Sequence, residues 1–314
     1  MNDVDILIIS NTLDLATDYV CVELDRRGAK YLRLNRDLLS IYDVNFDILE
    51  CSLVVIVDKV KYKIHNDRLK SVYYRAPIYL RDIYRPDISP KEQLSRTQWM
   101  AFVRNLSVFD CAKWMNHPLA TFRGENKFLQ LRIAMKIGML CPETIATNSK
   151  HAVINGDEKY IVKSIDTAVL RMEDKEAFIY SNLVDGSDII SFDNSIAPIF
   201  IQSYIQPKID IRVTVVGNVV YAVRILMNGE GVSGDWRRIK NNIEFVPFLL
   251  PENIASNCVN IVNSLGLSFG GIDLIESDGC YFFLEVNPTG EWGWLVNSAG
   301  LPIPETLCDF LEHR

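Results

Sequence analysis

The chain is predicted to be an α/β protein with α+β character. Its N-terminal residues read as a doubly wound β-α-β unit, and its C-terminal third reads as antiparallel strands closed by a β-hairpin. Asp5 to Ser10 (DILIIS) is a branched apolar run, Leu13 to Arg27 repeats with helical periodicity and stops at Gly28, and Ala29 to Leu34 is a second strand. Near the other end, Ile211 to Val216 and Val219 to Leu226 are strands separated by a tight turn, and Gly270 to Ile275 and Phe282 to Pro288 form the hairpin. The expected boundaries are 1–118, 119–206 and 207–314.

The remaining elements follow in order. Phe46 to Cys51, Leu53 to Val57 and Val60 to Ile64 are expected as antiparallel strands, with Asp58-Lys59 as a turn, and Ser71 to Arg75 as another strand. Gln93 to Phe109 is helical and ends before Trp114-Met115-Asn116-His117-Pro118. Asn126 to Ile137 is an amphipathic helix stopped by Gly138, and Pro142 to Thr147 is extended. Tyr160 to Ser164 and Ile199 to Ile205 are strands, Met227 to Arg238 is a glycine-punctuated loop, and Pro251 to Leu265 is a helix. The first β-α-β unit lacks the G-x-G-x-x-G turn, which argues against a dinucleotide site there.

Composition narrows the function classes. Of 314 residues, 48% are apolar and 23% charged, which is ordinary for a globular chain. No apolar run approaches the roughly 20 residues that span a bilayer, and the N-terminus has no basic segment before an apolar one. The seven cysteines form no C-x-x-C pair and the four histidines do not cluster with them, so zinc and a disulfide framework are disfavoured and a cytoplasmic location is expected. A net charge of −7 argues against nucleic acid as partner, and no membrane partner is expected.

The hairpin carries the chemistry. Asp273 lies in one apolar strand and Glu285 and Asn287 in the other, and an unpaired carboxylate in a core strand is costly. Strand alternation puts Glu285 and Asn287 on one face. A two-residue loop at Asp278-Gly279 would turn Asp273 to the opposite face. A three-residue loop, Ser277-Asp278-Gly279, brings all three together, and it is the loop expected here. Two carboxylates and an amide oxygen suit hard Mg²⁺.

Taken in order, Asn126-Lys127, Val162-Lys163, Gln202-Ser203-Tyr204-Ile205, Asp210-Ile211-Arg212, Arg224, Asp235-Trp236-Arg237, Asp273 and Glu285-Val286-Asn287-Pro288 resemble the ATP-grasp ligases from about Thr121 onward. The resemblance implies an ATP-grasp fold: a pre-ATP-grasp N-terminal domain, a central α+β subdomain and a C-terminal antiparallel-sheet subdomain with the Mg²⁺ site. The Asp-Trp-Arg loop and Asn287-Pro288-Thr289-Gly290-Glu291-Trp292-Gly293-Trp294 resemble more narrowly the RimK-like branch that matures ribosomal peptides of the microviridin or graspetide type.

What the resemblance implies for the site is specific. Lys127 and Lys163 meet the phosphates of ATP; Gln202 to Ile205 form the adenine hinge, with Ser203 where many relatives carry an acid; and Asp210 contacts the ribose side or orients Arg212. Asp273, Glu285 and Asn287 hold Mg²⁺, expected as two ions. Arg212, Arg224, Arg237 and Lys163 act on the transferring phosphoryl group. Lys163 also stands out without the resemblance, because a lysine inside an apolar strand calls for an anion. Arg212 and Arg224 in consecutive strands likewise call for carboxylates or phosphates, the alternatives being Asp210 and Glu230.

The loop from Asn228 to Arg238 is expected to act as a lid, because Trp236 needs a surface to pack on. No glycine-rich phosphate flap is visible between Ser164 and Phe200. His65 and His117 are isolated, and Trp99, Trp114, Trp292 and Trp294 read as packing residues. Arg75, Arg81, Arg85 and Arg96 could meet an acidic peptide, with a solvated face expected for most of them. The implied activity converts an Asp or Glu side chain of a precursor peptide, with leader and acidic core, to an acyl phosphate that a hydroxyl or amine then displaces. The alternatives are a ligase adding an amino acid or amine to a free or protein carboxylate, and an ATP-binding regulator without turnover. A homodimer interface is assigned to the N-terminal region.

Overall fold

The computed structural model describes residues 2–75, 88–149, 152–166, 169–171, 176–178, 181–191, 196–239 and 242–313, with side chains for all but 169–171 and 176–178. The N-terminal part holds β1 (Asn2–Asp3), β2 (Ile6–Ser10), α1 (Leu15–Arg27), β3 (Tyr31–Asn35), β4 (Asp43–Asp47), β5 (Ser52–Val57), β6 (Val60–His65), β7 (Ser71–Tyr74), α2 (Pro90–Asn105) and β8 (Lys113–Met115). A parallel sheet has the order β3-β2-β7-β8, and a second sheet runs β1-β6-β5-β4. Asp14 caps α1 by accepting from Thr17 N, and Gly28 ends it at φ 67°. Alternation along β2 divides the core. Leu7 and Ile9 join one apolar cluster with β5 and α2, and Ile6 and Ile8 join another with α1 and the C-terminal helices.

Next come α3 (Pro118–Gly124), α4 (Lys127–Ile137), β9 (Thr144–Thr147), β10 (Lys159–Lys163), β11 (Val169–Arg171), β12 (Glu176–Phe178), β13 (Asn182–Asp185), α5 (Gly186–Ser191) and β14 (Ile199–Ser203). An antiparallel sheet runs β13-β10-β14-β9, while β11 pairs with β12. The chain closes with β15 (Ile209–Val216), β16 (Val219–Met227), β17 (Glu230–Gly231), β18 (Ile243–Pro247), α6 (Glu252–Ser264), β19 (Phe269–Ser277), β20 (Cys280–Asn287), α7 (Gly293–Ala299) and α8 (Ile303–Glu312). The order β17-β16-β15-β19-β20, with β18 also on β16, makes a six-stranded antiparallel sheet.

One face of this sheet packs Ile211, Val213, Ile272 and Leu274 against α4 and α6. The other face carries Asp210, Arg212, Asp273, Glu285 and Asn287, as the registers Arg212↔Asp273 and Asp273↔Glu285 require. Among the described residues no helix is long and apolar enough to cross a membrane.

Several elements differ from the sequence reading. The first strand of the second sheet is Asp43–Asp47, because residues after Asp47 turn back towards β5. Lys113–Met115, read only as a helix break, is an edge strand too short to show a period. The strand β18 and the helices α3, α7 and α8 were not expected. The three helices have ten residues or fewer, and all three have Pro or Trp at their first turn or cap.

Candidate active site

The hairpin places Asp273, Glu285 and Asn287 on one face by a different route from the one expected. Ser277 pairs with Cys280, so the loop is the two residues Asp278 and Gly279, both left-handed at φ 47° and 76°. That loop alone would put Glu285 and Asn287 on the face opposite Asp273. The register shifts between Asp273 and Leu274, however: Leu274 pairs with Phe283 and Asp273 with Glu285, leaving Leu284 as the extra residue of a β-bulge. The bulge restores the parity, and Gly271↔Asn287 continues the same face.

Side chains from three other elements converge on these carboxylates. Arg212 Nη1 donates to Asp273 Oδ1 at 2.8 Å, Arg237 Nη2 to Asp273 Oδ2 at 3.0 Å, and Lys127 Nζ lies 3.0 Å from Glu285 Oε2. The Arg212 guanidinium lies over two glycines; a Cβ on Gly271 or Gly290 would stand 2.5 or 2.6 Å from its Nη2. Lys163, at the end of β10, faces the same group. Burial pushes its ammonium below the ordinary value, while Glu285 and Asp273 pull the other way. Burial raises Glu285, but Lys127 and Lys163 outweigh it and hold the carboxyl at about 2.

The residues present fit a bound polyanion with a hard cation. Lys127, Lys163, Arg212 and Arg237 face Asp273, Glu285 and Asp235, an excess of one positive charge within a chain of net −7. Arg212 Nε is buried without a hydrogen-bond partner, and Lys163 has no ion pair among the described residues. Buried donors of this kind call for acceptors. The chemistry of two carboxylates and an amide oxygen suits Mg²⁺.

A cleft extends from these groups between the central sheet and the C-terminal sheet. Ile161, Lys163 and Gln202 to Ile205 line one wall, and Asp210, Ile225, Asp273 and Ile275 the other. At the hinge, Gln202 donates to Thr144 Oγ1, and the Ser203 and Tyr204 amides bond to Glu143 O and Lys159 O. The Ile205 amide has no such acceptor among the described residues, and Gln206-Pro207 is cis. Lys208, which the sequence reading passed over, donates to Asp210 Oδ2 at 2.6 Å and to Gly234 O at 2.8 Å. Its signal was the i, i+2 spacing to Asp210 at the mouth of a strand. Burial raises the Asp210 carboxyl against the pull of Lys208.

The loop expected as a lid gives Trp236 the packing surface that its sequence required. Trp236 meets Phe245 and Trp294 at centroid distances of 5.8 and 5.9 Å, and Asp235 caps the short turn by accepting from Arg237 N. The two tryptophan-bearing segments therefore form one surface beside Arg237.

Arg224 is not brought to this group. It pairs with Ile211 in register, so it projects from the helix-covered face, where it grips Glu276 through Nε and Nη2 at 3.0 and 2.9 Å and stacks on Phe248. Neither Asp210 nor Glu230 is its partner. Arg75 is buried rather than solvated, and Arg96 pairs with Glu92 on the surface of α2. Arg81 and Arg85 lie outside the described residues, as does part of the stretch from Ser164 to Phe200. His117 caps α3 through Nδ1 and packs on Trp114, and Trp292 is fully buried.

Residues 159–308 match the model of the RimK-like ATP-grasp domain. The chain carries a RimK-like ATP-grasp domain. The matched segment begins at β10 and includes Lys163, the hinge, the lid and the Asp273–Asn287 hairpin, while Lys127 comes from α4 just ahead of it. Over 235 residues the chain is 29% identical to the tetrahydromethanopterin:α-L-glutamate ligase of Methanocaldococcus jannaschii, an alignment covering 66% of this chain and 77% of that one. In shape it is similar to the macrocyclase MdnC of Microcystis aeruginosa, solved with precursor peptide MdnA (TM-score 0.82, 20% identity, 98% of this chain and 99% of that one). It is also similar to a RiPP-associated ATP-grasp ligase of Chryseobacterium gregarium, solved with ADP and a leader and core peptide (TM-score 0.80, 23% identity, 100% and 97%). The ATP-grasp fold thus extends over the whole chain.

Proposed function

We propose that this protein is an ATP-grasp ligase that activates Asp or Glu side chains of a ribosomal precursor peptide as acyl phosphates and closes them onto Ser, Thr or Lys side chains of the same peptide. The carrying observation is the cation-rich face around Asp273, Glu285 and Asn287, opening on a cleft lined by the hinge residues Gln202 to Ile205. Full-length similarity in shape to two enzymes solved with precursor peptides supports the peptide as substrate.

In this reading ATP lies in the cleft, its adenine against Ile205 and its phosphates towards Lys163 and Lys127. Asp273, Glu285 and Asn287 would hold Mg²⁺, which when bound screens the phosphate charge. A substrate carboxylate attacks the γ-phosphorus, the bond to the β-phosphate oxygen breaks, and ADP leaves. A hydroxyl or amine then attacks the acyl carbon, inorganic phosphate departs with the C–O bond, and the nucleophile's proton goes to solvent or phosphate. Arg212 and Arg237 neutralise charge on the transferring group, and the aromatic-backed lid excludes water from the acyl phosphate. No protein nucleophile is needed.

A second reading is favoured by the identity to a glutamate ligase: addition of an amino acid or amine to a free or protein carboxylate. The ATP-side residues serve both. Mass spectrometry of an acidic peptide encoded beside this protein and co-expressed with it separates them. Ring closure removes one water per cross-link, whereas amino-acid addition increases the mass by one residue. An unmodified peptide, with glutamate incorporated into a small acid instead, would overturn the macrocyclase reading.

A further inference from the structure

We propose that Arg75, from the N-terminal parallel sheet, is a positioning residue for the ATP-grasp site. It fixes the turn from Asn287 to Glu291 and, through it, the amide of Asn287 and the guanidinium of Arg212. The inference rests on the reading of Asp273, Glu285 and Asn287 as the metal-holding face.

Every carbonyl of this turn has a donor. Asn287 O accepts from Gly290 N at 3.1 Å, and Pro288 O from Asn116 Nδ2 at 2.8 Å. Thr289 O and Gly290 O both accept from Arg75 Nη1, at 2.7 and 3.1 Å. Glu291 O accepts from Arg212 Nη2 at 3.2 Å and from Trp294 Nε1 at 3.3 Å. Three of these five carbonyls are therefore held by side chains that precede residue 118. A turn whose carbonyls are all engaged by donors is confined to one conformation.

Arg75 is suited to the task by its planar fork. Nε and Nη2 face Asp14 at 3.3 and 3.4 Å, Nη2 also reaches Glu291 Oε2 at 3.1 Å, and Nη1 serves the two carbonyls. A single ammonium cannot span that set. Asp14 is itself fixed by Ser10 at 2.7 Å and Thr17 at 2.8 Å, so the guanidinium is anchored to the carboxyl end of β2 and the first turn of α1. The site end of the chain of contacts is equally tight. Gly290 and Gly271 form the seat of Arg212, which holds Asp273, and Asn287 is the first residue of the same turn. Arg75 makes no hydrogen bond to Asp273 or Glu285, and its influence passes through the turn alone.

The test uses the full chain with Arg75→Lys and Arg75→Met. Arg75→Lys keeps a positive charge beside Asp14 and is the variant to rely on if Arg75→Met does not fold. Amide hydrogen exchange is read at Gly290, Trp292 and Gly293, whose amides bond within the turn or to Glu291 Oε1. We expect exchange there to quicken at least tenfold while β2, β7 and α1 keep their protection. The Mg²⁺ concentration giving half-maximal nucleotide turnover should rise about tenfold, the usual effect of loosening a ligand's support. Wild-type exchange at these three amides in a folded variant overturns the proposal. So does a uniform quickening across β2, β7 and α1 with the Mg²⁺ requirement unchanged. Absence of turnover in the wild type counts against the ligase reading alone, and the exchange pattern still decides the role of Arg75.

Discussion

Asp273 stands directly opposite Glu285 in the β19–β20 hairpin because Leu284 bulges out of register. Without that extra residue, the two-residue turn at Asp278-Gly279 would set Glu285 opposite Ile272, so that Glu285 and Asn287 would face the α4–α6 core, away from Asp273 and Arg212. The carboxylate pair is therefore a product of an irregularity in one strand, and it gathers cations from α4, β15 and the lid.

Neutralising either carboxylate should end Mg²⁺-dependent turnover. We expect Asp273→Asn and Glu285→Gln each to lower ADP formation by about 100-fold or more, as loss of a metal ligand or charge partner does. Glu285→Gln should also lose about 1–3 kcal/mol of stability without nucleotide, because Lys127 and Lys163 keep their charge without a counterion. Full activity in both variants would dismiss the metal assignment.

Acid should expose the Lys127–Glu285 pair. The folded Glu285 carboxyl is depressed to about 2 from an ordinary 4.5, so its stabilisation is complete above pH 4.5 and lost as pH falls towards 2. Lys127→Met removes a main cause of the depression. The difference in melting temperature between wild type and Lys127→Met should be constant from pH 7 to 5 and vanish towards pH 2. A difference independent of pH would mean that the pair does not set the titration.

Arg212 and Arg224 should separate cleanly. Arg212→Met is expected to reduce turnover by about 100-fold. Arg224→Met should leave turnover within about twofold and cost about 1 kcal/mol, from its Glu276 pair and Phe248 stack. Urea unfolding and initial rates on both variants decide this, and equal loss of rate would place Arg224 in the chemistry.

The seat of Arg212 admits no side chain. Gly271→Ala would set a methyl 2.5 Å from its Nη2, so the guanidinium must leave Asp273. We expect a folded protein whose rate loss approaches that of Arg212→Met, measured as ADP release.

Trp236→Ala should uncouple the lid. Losing contacts with Phe245 and Trp294 removes about 1–3 kcal/mol of closure, or roughly tenfold in the closed population. ADP release per peptide cross-link should rise as water reaches the acyl phosphate. An unchanged ratio would show that Trp236 only packs.

Much of this was readable in the chain itself, for a physical reason. Strands such as Ile6–Ser10 and Ile209–Val216, and helices with a cap and a stop such as Asn126 to Gly138, are specified by local periodicity and end signals. Lys163, Asp273 and Glu285 stood out because a charge inside an apolar strand demands a partner, a demand that spacing alone reveals. Short elements such as β8 and α3 carried too few residues for a period to show.

The tertiary structure decided what depends on register and on distant chain. Whether Glu285 and Asn287 share the face of Asp273 rested on a bulge at Leu284, which no turn rule foresees, and the fate of Arg224 rested on which side of β16 it fell. Arg75 looked like a surface cation, yet its partners lie 61 and more than 200 residues away, at Asp14 and at Thr289 to Glu291. By itself the sequence determined the kinds of group in the site and the strands that bear them, because those follow from neighbours in the chain. Which groups meet followed from sheet pairing and domain packing, which join residues that local patterns cannot relate.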